Sequence, residues 1–160
     1  MSGLIYITDE NGKLLEVIVT TLQGEDDERL QKVVTAPQAG IIGKFEPIMD
    51  AAGTVTGYNP THGSSEANWS YNSWRIWEEI GWSPWHLFYK METVVITEEL
   101  IIDLLMQIEK VQKLPDQDQS RGEIEIGPFA ATPKNALKML MWMAVWMLQP
   151  TAKYLCRGLH

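Results

Sequence analysis

The sequence predicts a single α+β domain over residues 1–160, with β-hairpins and one helix in its N-terminal third and a mainly helical C-terminal half. Runs of β-branched residues flank turn sequences near the start of the chain. Apolar residues recur at helical spacing after Thr97. A chain of 160 residues, without an internal repeat or a composition break, has the size of one domain with its own core.

Two hairpins are predicted in the N-terminal third. Residues 4–8 and 14–21 are rich in β-forming types and flank an Asn-Gly turn, whose residues tolerate positive φ. Residues 41–49 and 54–58 repeat this pattern, and Pro47 indicates an edge strand because it lacks a backbone N–H.

A surface helix of about three turns is predicted between the hairpins, over residues 24–34. Four acids occupy its first turn, where the helix dipole favours negative charge. Its apolar stripe consists of Leu30, Val33 and Val34.

The central residues 58–91 hold five of the seven tryptophans, so they form either the core or the wall of a binding surface. A helix is predicted to begin between Ser65 and Asn72 and to end at Gly81. Its residues at helical spacing are Trp69, Ser73, Ile76, Trp77 and Ile80. Ser83 and Pro84 then open a short second helix.

Two longer helices are predicted in the C-terminal half. The first begins after Thr97, and its apolar stripe consists of Leu100, Ile101, Leu104, Leu105, Ile108 and Val111. Residues 115–122 read as a polar loop and residues 123–126 as a short strand. The last helix opens at Thr132 and Pro133 and runs to Leu148.

Residues 136–148 of the last helix are apolar on every face, and a run of about 13 residues is too short to cross a bilayer, which takes about 20. Such a helix is either buried in its own core or shared with a partner. Its methionines suit an adaptable surface. The interpretation adopted is a homo-oligomer contact through residues 136–148, centred on Trp142, Met143, Trp146 and Met147.

The charge and cysteine content narrow the class of protein. A net charge of −8 disfavours binding to nucleic-acid backbones and permits an acidic surface that docks on a basic partner. The one cysteine, Cys156, excludes an internal disulfide and indicates a reducing compartment. No secretory signal or membrane span is recognised, so a cytoplasmic location is expected.

Amide, hydroxyl and aromatic side chains alternate after residue 67 in a pattern that can bind a planar ligand. Amides can read the edge of a base, and aromatic or guanidinium planes can stack on its face. The candidate ligand-binding residues are Asn68, Ser70, Tyr71, Asn72, Trp74 and Arg75. The competing interpretation, which is preferred, has these amides cap a helix while the rings fill the core.

Metal chemistry is the weakest reading of the sequence. His62 and Glu66 are four residues apart, which would place them on one helix face, but a site needs at least one further ligand, such as His86. No phosphate-binding, dinucleotide-binding or nucleophile motif is present. No catalytic residue, metal ligand or cofactor is therefore predicted, and an enzyme such as a metal-dependent hydrolase ranks third.

The segment Asn68-Trp69-Ser70-Tyr71-Asn72, followed by a short helix that ends at Gly81, resembles small uncharacterised phage-encoded accessory proteins. The resemblance implies an accessory role in host cytoplasm, for example an anti-defence inhibitor that binds a host protein. The preferred reading is accordingly a non-enzymatic binding protein that docks on a host protein through an acidic or aromatic surface. The alternative is a small-ligand, nucleotide-like pocket around residues 68–85.

Overall fold

The computed structural model describes residues 2–19, 24–34, 45–60, 65–70, 77–78, 80–88, 92–114 and 133–159. Within these residues the chain has three long helices, namely α1 (Glu25–Val34), α2 (Glu98–Gln112) and α3 (Pro133–Met147), and one short 3₁₀ helix, Pro84–Phe88. Trp77, Glu78 and Ile80 are also helical. Its strands are β1 (Ser2–Thr8), β2 (Ile18–Val19), β3 (Phe45–Met49), β4 (Val55–Pro60), β5 (Glu66–Ser70), β6 (Thr93–Val95) and β7 (Tyr154–Leu159). The predicted α+β class is confirmed.

The larger sheet is antiparallel throughout and has the strand order β5-β1-β7-β6. Alternate residues of its central strands, Ile5 and Ile7 of β1 and Leu155 of β7, are fully buried. Because side chains alternate across a strand, these three share the inner face of the sheet. They join the same cluster of buried side chains as the three helices.

The first predicted hairpin is correct in its turn and wrong in its strand pairing. The Asp9 carboxylate accepts the backbone N–H groups of Asn11 and Lys13 at 2.8 and 3.0 Å, and Gly12 has a φ of 81°. After the turn, only an isolated bridge between Thr8 and Leu14 joins the two segments. β1 instead pairs with β5 and β7, while β2 pairs with β4 in a second sheet of order β2-β4-β3.

The second predicted hairpin is confirmed over the described residues. β3 and β4 pair antiparallel, and Asp50 accepts two backbone N–H groups across the turn, those of Ala52 and Thr54, at 2.9 Å each. β3 lies at the edge of its sheet, as Pro47 indicates. Residues 41–44, where the first strand of this hairpin is predicted to begin, lie outside the described part.

The helix predicted to begin between Ser65 and Asn72 does not include residues 66–70, which form β5, so the helical position expected of Trp69 is wrong. Pairing with β1 satisfies the backbone of this segment and outweighs its helical spacing. Residues 71–72, the rest of the predicted start, lie outside the described residues. The predicted end is confirmed: Gly81 has a φ of 74°, and Trp82 donates its N–H to the carbonyl of Trp77. This pattern is the Schellman motif that ends a helix at a glycine.

The two longer helices, α2 and α3, form where the sequence predicts them. Thr97 caps α2, because its side chain accepts the N–H of Leu100 at 3.2 Å. α3 contacts both α1 and α2, and all of its described side chains from Ala136 to Met147 are buried. α3 is therefore the central helix of the core.

Besides β5, two further strands of the larger sheet were not predicted. β6 lies in Thr93-Val94-Val95-Ile96, an unbroken β-branched run that is a strong strand signal. β7 carries Arg157 and Gly158, which weaken its signal, yet it lies at the centre of the sheet. The described part of the C-terminal half thus contains two strands beside its helices. The loop and strand predicted over residues 115–126 lie outside the described residues.

Candidate functional site: a groove between two helices

The predicted ligand-binding residues are described only in part. Asn68 and Ser70 lie in β5, an outer strand of the larger sheet, where they pair with Leu4 and Ser2. The other four, Tyr71, Asn72, Trp74 and Arg75, lie outside the described residues. Convergence of these six side chains on one ligand stays a prediction.

The described rings that follow this segment belong to the core. Trp77 and Phe88 are 3% and 1% exposed. Trp77 meets Trp82 edge to face, with 6.3 Å between ring centroids. The indole N–H of Trp82 donates to Asp103 of α2 at 2.7 Å. The Trp82–Asp103 hydrogen bond therefore joins this part of the chain to α2. The preferred interpretation is wrong in having Asn68 and Ser70 cap a helix, because both lie in β5. Its other part, that the rings of residues 69–74 fill the core, stays a prediction.

The residues weighed as metal ligands do not share a helix. Glu66 lies in β5, so the prediction that it shares a helix face with His62 is wrong, and His62 itself lies outside the described residues. His86 is an exposed residue of the 3₁₀ helix. Among the described residues, no three His, Cys, Asp or Glu side chains are grouped so that they could hold a metal ion.

The four predicted interface residues are interior side chains of α3. Trp142, Met143, Trp146 and Met147 are 6%, 0%, 2% and 2% exposed in the single chain. The all-round apolar character of the helix is explained by its central place in the core. Self-association through residues 136–148 stays a prediction, and it would require these side chains to leave the core of their own chain.

In contrast to the buried residues of α3, α2 carries apolar side chains that are exposed to solvent. α1 and α2 enclose a groove of about 450 Å³, which we call the α1–α2 groove. Val33 of α1 and Leu105 of α2 contribute to its walls, and the buried Met141 of α3 also lines it. Ile102 and Met106 line the α2 side and are 45% and 52% exposed.

Ile102 and Met106 are one helical turn apart, so they form a continuous apolar strip. We call these two residues the exposed pair. Sequence reasoning missed them because they lie outside the stripe that predicts the buried face of α2. The available signal was that both residues are apolar although they lie outside the core-facing stripe of an amphipathic helix.

Arg29 joins the two walls at one end of the groove. Its Nη2 lies 2.6 Å from Glu98 of α2 and 3.0 Å from Glu25, and its Nη1 lies 3.3 Å from Asp26. The hydrogen bond to Glu98 raises the pKa of Arg29 above its ordinary value, and the same bond lowers the pKa of Glu98. The guanidinium therefore stays charged and fixes the first turn of α2 beside α1.

This arrangement makes one end of the groove acidic. The first turn of α1 carries Glu25, Asp26, Asp27 and Glu28, and the first turn of α2 carries Glu98 and Glu99. Three of these six carboxylates, those of Glu25, Asp26 and Glu98, contact Arg29. Further along the groove, Lys32 and Glu109 offset one another in charge. The site offers an apolar strip with a concentration of negative charge at one end.

Comparison of this chain with protein-family models, with curated proteins and with solved structures found no match. None of the helices that the structure describes is long and apolar enough to cross a membrane.

Proposed function

We propose that this is a non-enzymatic binding protein, and that it takes a basic amphipathic helix of a partner protein into the α1–α2 groove. The observation that carries the proposal is the exposure of Ile102 and Met106 on the wall of that groove. Apolar side chains grouped at a concave surface are typical of protein-binding sites.

The shape of the groove favours a helix as its occupant. Its two walls are helices of 10 and 15 residues, which correspond to lengths of about 15 and 22 Å. A third helix packs well between two others, and a partner helix docked in a groove is recognised through apolar residues one turn apart. The exposed pair supplies such residues on the receiving side.

The charges favour a basic partner. The first turns of α1 and α2 carry six carboxylates, of which Glu25 lines the groove while Asp26 and Glu98 contact Arg29 at its end. The chain as a whole has a net charge of −8. Complementary charge accelerates association and excludes acidic competitors. The apolar strip then supplies the buried contact that holds the partner.

The resemblance of residues 68–81 to phage-encoded accessory proteins extends this proposal to a biological context, the infected host cell. In that setting the partner is a host protein, and occupation of one of its helices blocks the contacts that the helix normally makes. The proposed groove lies on other residues, so the binding proposal stands without the resemblance.

Two synthetic peptides test the proposal. Each is an amphipathic helix of about 18 residues, or about five turns, with a leucine stripe. One has lysines on its polar face and the other has glutamates. Fluorescence anisotropy should show saturable binding of the lysine peptide, weaker binding as salt rises, and no binding of the glutamate peptide.

Matched variants locate the binding. Met106→Glu places a charge in the apolar strip and should weaken binding of the lysine peptide by about tenfold or more. Met49→Glu is the control, because Met49 is 59% exposed but lies on β3 and does not line the groove. Equal affinity of the two variants, or equal binding of the two peptides, contradicts the proposal.

A further inference from the structure

The sulfur-bearing side chain of Met106 lies where it is open both to a partner and to small oxidants. Met106 is 52% exposed and lines the α1–α2 groove. The susceptibility of a methionine to oxidation follows its exposure, and the sulfoxide is a polar group in place of an apolar one.

The other described methionines provide an internal comparison. Four of them belong to α3 and are at most 2% exposed: Met139, Met141, Met143 and Met147. The fifth, Met49, is 59% exposed on β3 and does not line the groove. Of the described methionines, Met106 is thus the one that combines exposure with a place in the groove.

We propose that Met106 is an oxidation site, and that its oxidation by a peroxide weakens binding of the helical partner in the α1–α2 groove. This inference rests on the proposed function of the groove. The peroxide transfers one oxygen atom to the thioether sulfur of Met106. The sulfur lone pair forms the new S–O bond, the O–O bond breaks, and water leaves when the oxidant is hydrogen peroxide.

The product, methionine sulfoxide at position 106, places a polar group in the apolar strip. A bound helix that covers the sulfoxide must bury a strong hydrogen-bond acceptor against its own apolar stripe, which is unfavourable unless a donor is available. Ile102, one helical turn away, has no sulfur to oxidise, but its side chain alone cannot provide the apolar contact that the two residues provide together. The expected loss of affinity for the lysine peptide is about tenfold.

The test compares the full chain with its Met49→Leu and Met106→Leu variants, each before and after treatment with hydrogen peroxide. Peptide mapping by mass spectrometry measures oxidation at each methionine, and anisotropy measures affinity for the lysine peptide. Met49 and Met106 should be oxidised well before the four methionines of α3. Met1 and Met91 are present in all three proteins, so any effect of their oxidation is common to the three.

Peroxide should weaken binding by the unsubstituted chain and by Met49→Leu, whereas the affinity of Met106→Leu should be the same before and after treatment. An equal loss by Met106→Leu overturns the inference, and so does slow oxidation of Met106. If the fully oxidised chain binds as well as the untreated one, the inference about Met106 is wrong, and the proposed function is not contradicted. If the untreated chain does not bind the peptide, the proposed function itself is wrong.

Discussion

α2 and α3 each have 15 residues, yet they have opposite roles. α3 contacts both α1 and α2, and every described side chain from Ala136 to Met147 is buried. α2 has one buried face and keeps Ile102 and Met106 in solvent. The more apolar helix is therefore the scaffold, and the more polar helix presents the surface for which we propose a binding role. Apolar content alone would have assigned these roles the other way round.

The largest expected effect compares one methionine from each helix. Met143→Ala removes a fully buried side chain and should cost about 2–5 kcal/mol of unfolding free energy, because it leaves a cavity. Met106→Ala removes an exposed side chain and should change stability by no more than about 0.5 kcal/mol. Urea unfolding of both variants measures the difference. Equal losses would show that the two helices are not distinguished by burial.

A smaller effect concerns the hydrogen bond that joins Trp82 to α2. Trp82→Phe keeps a ring against Trp77 but removes the indole N–H that donates to Asp103. A hydrogen bond to a charged group contributes about 1.5–3 kcal/mol, which is the expected loss. In a double-mutant cycle with Asp103→Ala, the two losses should be less than additive. Strict additivity would mean that the two residues do not interact.

These results also show what local sequence can predict. The second hairpin and the cap of α2 were predictable because Asp50 and Thr97 bond to groups within four residues. The partners of β1 were not, because β5 and β7 lie far along the chain. Nothing local to residues 4–8 specifies either partner strand.

The α1–α2 groove was beyond local prediction for a related reason. Whether Ile102 is core or surface depends on which side of α2 is covered by α3, and that depends on packing between distant segments. The amphipathic stripe predicted the covered side correctly, since Leu104, Ile108 and Val111 are buried. The apolar residues left outside that stripe were the sequence information that points to the proposed function.

The smallest expected effect is electrostatic, at the acidic end of the groove. The hydrogen bond from Arg29 lowers the pKa of Glu98 below its ordinary value of 4.5. The ionised carboxylate therefore stabilises the folded chain above that pH, and this contribution is lost as the pH falls through the lowered pKa. The stability difference between the unsubstituted chain and Glu98→Gln should shrink below pH 4.5 in thermal unfolding. A difference that does not change with pH would contradict the ion pair.

Hydrogen–deuterium exchange, with and without the lysine peptide, tests most directly the claim that α3 is scaffold while α2 binds. In the free chain, the amides of α3 should exchange slowest, as expected of the central helix of a core. The peptide should slow exchange in residues 98–112 and 25–34 and leave residues 133–147 as they were. Fast exchange in α3 of the free chain, or peptide protection confined to other segments, would contradict the account.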